Sequence, residues 1–197
     1  MNPSNDMTEI HPWPPFAPMN AKVLIMGTFP PKPSRWSMDF YYPNRQNDFW
    51  RIMGLVFYND PFIFWDEGEK RFNLERIKRF LDDKGIALND TGHEVRRLRD
   101  NASDKFLEIV RPVDLGALLA DMPGCNVIAT TGEKAAGVIA QLTGTDVPRM
   151  GEEKDAIWTD GRRLRIFRMP STSRAYPLAL ARKADYYRSL FDAAGVL

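Results

Sequence analysis

Cysteine occurs once in this chain of 197 residues, at Cys125. One thiol makes no disulfide within the chain and builds no four-cysteine zinc or iron–sulfur site. Cys125 follows Gly124 ahead of an apolar run and reads as a buried filler. Histidine occurs only at His11 and His93. They form no helical pair and no histidine–glutamate metal motif, and each reads as a surface or capping residue. No apolar run approaches the roughly 18 residues of a membrane span. The polar, proline-rich opening lacks an apolar stretch of the secretory kind, so cytoplasm is the expected compartment. The Gly-x-Ser-x-Gly elbow of esterase-type hydrolases is missing. Thr130-Thr131-Gly132-Glu133-Lys134 opens a helix with a glycine but falls short of the phosphate-loop pattern, which argues against a nucleoside triphosphate site.

Charge of one sign is scarce overall, with a net +1. Its distribution is uneven. From Gly161 to Leu197 eight basic residues (Arg162, Arg163, Arg165, Arg168, Arg174, Arg182, Lys183 and Arg188) stand against Asp185 and Asp192, giving +6 and leaving −5 for the remainder. Such a segment either presents a positive face to a polyanion or is a set of solvated arginines.

What is present is a globular chain, 44% hydrophobic and 27% charged, of a length that suits one domain with appendages. Residues 1–20 read as a proline-rich arm lying over a single domain of residues 21–197. Pro12, Pro14, Pro15 and Pro18 exclude helix there, and Trp13 and Phe16 pin the arm down. Lys22–Gly27 and Asn126–Thr130 read as buried strands, and Ile86–Leu88 as a short one ending at Asn89-Asp90. Helices are expected at Asp48–Phe57, Glu69–Lys84, Gly132–Leu142 and Pro177–Ala194, with a hairpin at Asp155–Phe167 turning at Asp160-Gly161. Arg96–Ser103 reads as a charged surface loop. Alternation of strands and helices gives an α/β class, and ligands of such sheets bind beyond the carboxyl ends of the strands.

Two of the loops at those ends carry chemistry. Residues 27–50 hold Phe29, Trp36, Phe40, Tyr41 and Tyr42, with amides at Asn44, Gln46 and Asn47. A loop this long and aromatic usually has something to stack on. Tyr42 offers a planar platform, and the Asn47 carboxamide both donates and accepts, as the edge of a nucleobase requires. Asn47 is equally suited to cap the helix that follows. Met169-Pro170-Ser171-Thr172-Ser173-Arg174 sets three hydroxyls and a guanidinium between a strand and a helix, which suits a phosphate; capping by Ser173 is the plainer reading.

The two stretches together resemble the uracil-DNA glycosylase superfamily, above all its mismatch-specific (thymine/uracil) and hypoxanthine-DNA glycosylase branches. Gly27-Thr28-Phe29-Pro30, Tyr41-Tyr42 and Asn47-Asp48-Phe49-Trp50 are similar to the first family motif, and Pro170-Ser171-Thr172-Ser173 to the second. The resemblance implies a three-layer α/β/α sandwich around a mostly parallel four-stranded sheet. It implies a monomeric, monofunctional enzyme, without metal or cofactor, that excises a flipped deaminated base, uracil or hypoxanthine, from DNA. By position, Asn47 and Thr28 fall to catalysis and Phe29, Tyr42 and Thr131 to the base. Ser171, Thr172, Ser173 and Arg174 fall to the DNA strand, Arg174 where the family inserts a wedge. Thr28 replaces an asparagine or aspartate that activates water in several branches, and threonine cannot act as a base. Asp39 and Asp48 are the candidate general bases. A DNA-binding protein that has lost the chemistry, and a nucleoside-directed hydrolase, are the alternatives.

Overall fold

The structure, a computed structural model, describes residues 7–98 and 104–197. Residues 1–6 of the expected arm and 99–103 of the expected Arg96–Ser103 loop lie outside it. In chain order the elements are β1 (Thr8–Ile10), β2 (Val23–Gly27), α1 (Phe49–Tyr58), β3 (Trp65–Asp66), β4 (Arg71–Phe72), α2 (Leu74–Lys84), β5 (Ile86–Asp90) and β6 (Gly92–Arg97). There follow β7 (Leu107–Pro112), α3 (Leu115–Ala120), β8 (Val127–Thr130), α4 (Glu133–Thr143), β9 (Glu153–Ile157), β10 (Arg163–Arg168) and α5 (Leu180–Ala193).

The main sheet runs β5-β2-β8-β10-β9. Its first four strands are parallel and β9 is antiparallel to β10. The expected four strands are therefore five, because the first arm of the hairpin adds an antiparallel edge. Glu153, Lys154, Asp155 and Ile157 of β9 are exposed, as an edge tolerates, whereas β2, β5 and β8 are buried throughout.

Alternation along β2 sends Val23 and Ile25 to one face and Leu24 and Met26 to the other. The first pair joins a core with α1, α2 and α5; the second joins one with α3 and α4. That makes three layers, helix on sheet on helix. The expected helix from Glu69 starts instead at Leu74. Asn73 accepts the Arg76 N–H at 3.0 Å and caps it, while Arg71-Phe72 pairs with Trp65-Asp66. Gly85 ends this helix at φ 65°, where a Cβ would also stand 2.6 Å from the Asn20 carbonyl.

A second sheet, β1-β6-β7, has no counterpart in the expectations above. Arg96 and Arg97, expected in a loop, lie in β6, where Arg96 pairs with Thr8 and Glu108 across the sheet. The described part of the arm is thus built into the molecule. Phe16 exchanges two backbone hydrogen bonds with Leu88, at 3.0 and 2.9 Å, and so covers the open edge of β5.

Candidate functional site

Because β5, β2, β8 and β10 are parallel, the loops after Gly27, Asp90, Thr130 and Arg168 leave one rim of the sheet. Between them lies a hollow of 710 Å³, within the size range of small-molecule sites. Thr28, Phe29, Tyr42, Asn47, Thr131, Ser171, Thr172, Ser173 and Arg174 all line it, although up to 146 positions separate them.

The first loop is held from beneath. Tyr41 is fully buried, and its hydroxyl donates to Asn89 Oδ1 at 3.0 Å. The Trp50 indole donates to the Tyr41 carbonyl at 3.2 Å. Tyr42 then takes a left-handed backbone, φ 53°, which is costly for a bulky residue and signals a position fixed by its surroundings. Its ring stacks on Phe49 at 3.8 Å and 11°, and its hydroxyl lies 3.1 Å from Thr131 Oγ1. Burial, reinforced by the Asp90 charge, pushes the Tyr42 phenol well above its usual range, so it stays a neutral hydrogen-bonding group.

Asn47 stands one residue before Asp48, the N-cap of α1, and lines the hollow. Its Oδ1 accepts the Phe49 N–H at 2.8 Å, which turns the amino end of the carboxamide away from the helix. Ser173 does not cap α5, which starts at Leu180. Its Oγ accepts the Ala175 N–H at 3.3 Å and Ser171 Oγ accepts the Ser173 N–H at 3.2 Å. Thr172 is 2% exposed, and its carbonyl accepts the Asp48 N–H at 2.8 Å. It ties the two loops together from inside rather than offering a hydroxyl.

Asp48 is the center of that tie. Its Oδ1 accepts from Arg51 Nη1 at 2.9 Å and Arg174 Nε at 3.2 Å; its Oδ2 accepts from Lys183 Nζ at 3.1 Å. Lys183, expected among solvated basic residues, is buried and also donates to the Ser173 carbonyl at 2.8 Å. A carboxylate shared by three cations is committed to structure. Asp48 is therefore not a general base, and Asp39, bound by the Trp13 indole at 2.6 Å, does not line the hollow. Arg174, expected as a free wedge, is folded back on Asp48 and the Arg45 carbonyl. Nor is the basic segment an open positive face. Each of its eight cations lies within ion-pair distance of a carboxylate, drawn from Asp48, Glu133, Glu153, Asp155, Asp160 and Asp185.

The lining residue that the sequence did not single out is Asp90. It is the one carboxylate among the residues lining the hollow, at the carboxyl end of β5 and in register with Gly27. Its Oδ1 lies so close to Gly27 that a Cβ there would come within 2.5 Å, with the Tyr42 hydroxyl at 3.2 Å. Glycine at 27 is what admits both groups to the strand end. The available signal was its place at a strand terminus facing the ligand rim. Asp90 Oδ2 lies 2.9 Å from His11 Nε2. His11, read as a surface or capping residue, has a side chain only 4% exposed. Among the described residues no group of three histidine, cysteine or acidic side chains could hold a metal ion, and no helix is long and apolar enough to cross a membrane.

Comparisons with protein-family models and with curated proteins each find no match. Among solved structures, the chain is similar to the solution NMR structure of "a putative Uracil DNA glycosylase" from Methanosarcina acetivorans. The TM-score is 0.63 and the identity 19%, over 96% of this chain and 99% of that one. At that identity the likeness establishes a shared fold.

Proposed function

We propose that the protein is a monofunctional DNA glycosylase that hydrolyses the N-glycosidic bond of a flipped deaminated base, uracil or hypoxanthine. The observation that carries this reading is the meeting, in one hollow, of both sequence motifs with a single carboxylate, Asp90. The hollow accommodates one nucleobase beside the Tyr42 ring, while the hydroxyls of Ser171 and Ser173 and the backbone around them meet the flanking phosphates. An adjoining hollow of 420 Å³ shares Ser171 and Tyr176 and carries Lys105 and Lys134 beside the Arg168–Glu133 ion pair, giving the strand a net basic path onward.

In the reaction a water oxygen bonds to the sugar C1′, and the C1′–N bond breaks with its electron pair going to the base. Asp90 Oδ1 takes the proton of the water, the part that Thr28 cannot play. The amino group of Asn47 and the one proton that the Tyr42–Thr131 hydroxyl pair does not spend on its own bond are donated to the base as it gains negative charge. No amine is needed: no lysine is among the residues that line the hollow, and the buried Lys183 behind it is held by Asp48. The protein acts as a cytoplasmic monomer on DNA, with no metal or redox cofactor.

The test is a panel of uracil- and inosine-containing oligonucleotides, single-stranded and opposite all four bases. Free base is expected from at least one, and Asn47→Ala is expected to reduce single-turnover release at least about a hundredfold, as loss of a donor to developing charge does elsewhere. No release from any member of the panel overturns the proposal. Tight binding without release would make the chain a damage-binding protein, and release from free deoxyuridine without preference for DNA would make it a nucleoside hydrolase.

A further inference from the structure

Asp90 does not stand alone. The ring of His11 comes from the N-terminal arm, 79 residues earlier, and is held against it by several contacts. Its Nε2 is 2.9 Å from Asp90 Oδ2 and its Nδ1 is 2.9 Å from the Trp13 carbonyl. The ring stacks on Tyr41 at 5.5 Å and 25°, and meets Trp13 and Phe29 edge-on at 5.7 and 5.5 Å. The backbone is fixed as well: the His11 N–H donates to the His93 carbonyl at 2.8 Å, one step past the pairing of β1 with β6. Arg97 of β6 binds Glu9 at 2.7 Å and the Pro30 carbonyl at 2.7 Å, which locks the arm to the loop that carries Phe29.

A carboxylate has two oxygens, and this arrangement divides their work. Oδ2 is engaged by the imidazole, and Oδ1 is left against Gly27 at the floor of the hollow. Free rotation of the carboxyl group would blur the position of Oδ1; a hydrogen bond to Oδ2 from a ring that cannot itself move fixes it. We infer that His11, supplied by the N-terminal arm, is a positioning residue that orients the Asp90 carboxylate for chemistry in the hollow. The arm is then part of the active site and not only a cover for the sheet edge. This rests on the glycosylase reading above, since Asp90 must have a reaction to serve.

Two substitutions separate orientation from mere packing. His11→Phe keeps a ring in the aromatic cage and removes the N–H; His11→Gln keeps a donor at the reach of Nε2 and removes the ring. Single-turnover base release by the full chain would be measured on the best substrate of the panel. Affinity would be measured on the same duplex with a 2′-fluoro deoxynucleoside that resists cleavage. His11→Phe is expected to lower the rate about tenfold to a hundredfold, the scale of a small misplacement of a reacting group, with affinity within twofold. His11→Gln is expected to recover most of the rate despite the poorer packing. In an Asp90→Asn background, His11→Phe should cost nothing further. If His11→Phe retains the full rate, if His11→Gln is the worse of the two, or if the loss persists undiminished beside Asp90→Asn, the inference fails while the glycosylase reading stands. If the unaltered protein releases no base, both fall.

Discussion

The two faces of the main sheet are packed with different materials. On the side of α1, α2 and α5 the core is aromatic, with Tyr41, Phe49, Trp50, Phe64, Phe80, Tyr187 and Phe191 among its buried residues. On the side of α3 and α4 the buried residues are aliphatic or small, with Leu118, Leu119, Ile128, Ile139 and Leu164 at its center. Only the aromatic half continues into the hollow, through the Tyr42–Phe49 stack and the indole bond from Trp50. It also encloses the buried polar tie of Asp48 and Lys183. Rings have few rotamers and a polar tip, so they can be both core and wall of a site. The aliphatic half has no such second duty. Substitutions on the first side should therefore alter stability and activity together, and on the second stability alone.

The strongest test of that contrast is Lys183→Met. It leaves the buried Asp48 without one of its three cations, and removal of one partner of a buried pair costs about 3–5 kcal/mol. Thermal unfolding should register the loss, and base release per folded molecule should fall as well, because Asn47 and Ser173 are joined through that tie. Unchanged activity per folded molecule would break the comparison. Ile139→Val, on the aliphatic side, is the milder counterpart. It should cost about 0.5–1.5 kcal/mol and lower the Tm by about 2–4 °C per kcal/mol, with activity per molecule intact. The smallest effect near neutral pH concerns Cys125, also on that side. Burial pushes its thiol up to about 11, from an ordinary value of 9.0. A raised folded value favors the neutral thiol, so this contribution is complete below pH 9 and is lost as pH climbs toward 11. Alkylation at pH 8 should be slow in the native protein and fast only after denaturation.

The central strands were legible because Val23–Met26 and Val127–Ala129 are apolar on both faces, a pattern that only a covered sheet accommodates. The two loops stood out because they gather more rings and hydroxyls than a turn requires, although Ser171 and Ser173 also accept neighboring backbone N–H groups. Asp90 was not, because one acidic residue after a short strand looks like any turn; its meaning comes from Gly27 beside it and His11 beyond it. Lys183 was hidden by Arg182 and by a helix whose other charges do face water. Strand β6 was hidden by its own charges: Glu94, Arg96 and Arg97 spend theirs on β1 and β7 neighbors. The start of α2 was within reach, since Asn73 followed by Leu74 is a capping signal. For Asp90, Lys183 and the pairing of β1 with β6 the partner lies far away in sequence, where periodicity carries no information.

The seating of residues 8–16 has a practical consequence. A shortened chain begun at the first central strand, the natural choice from hydropathy alone, would strip the outer backbone partner from Leu88 and bare a row of amides able to recruit a neighboring molecule. It would arrive as an oligomer or precipitate, and whatever remained in solution would lack the imidazole that holds Asp90.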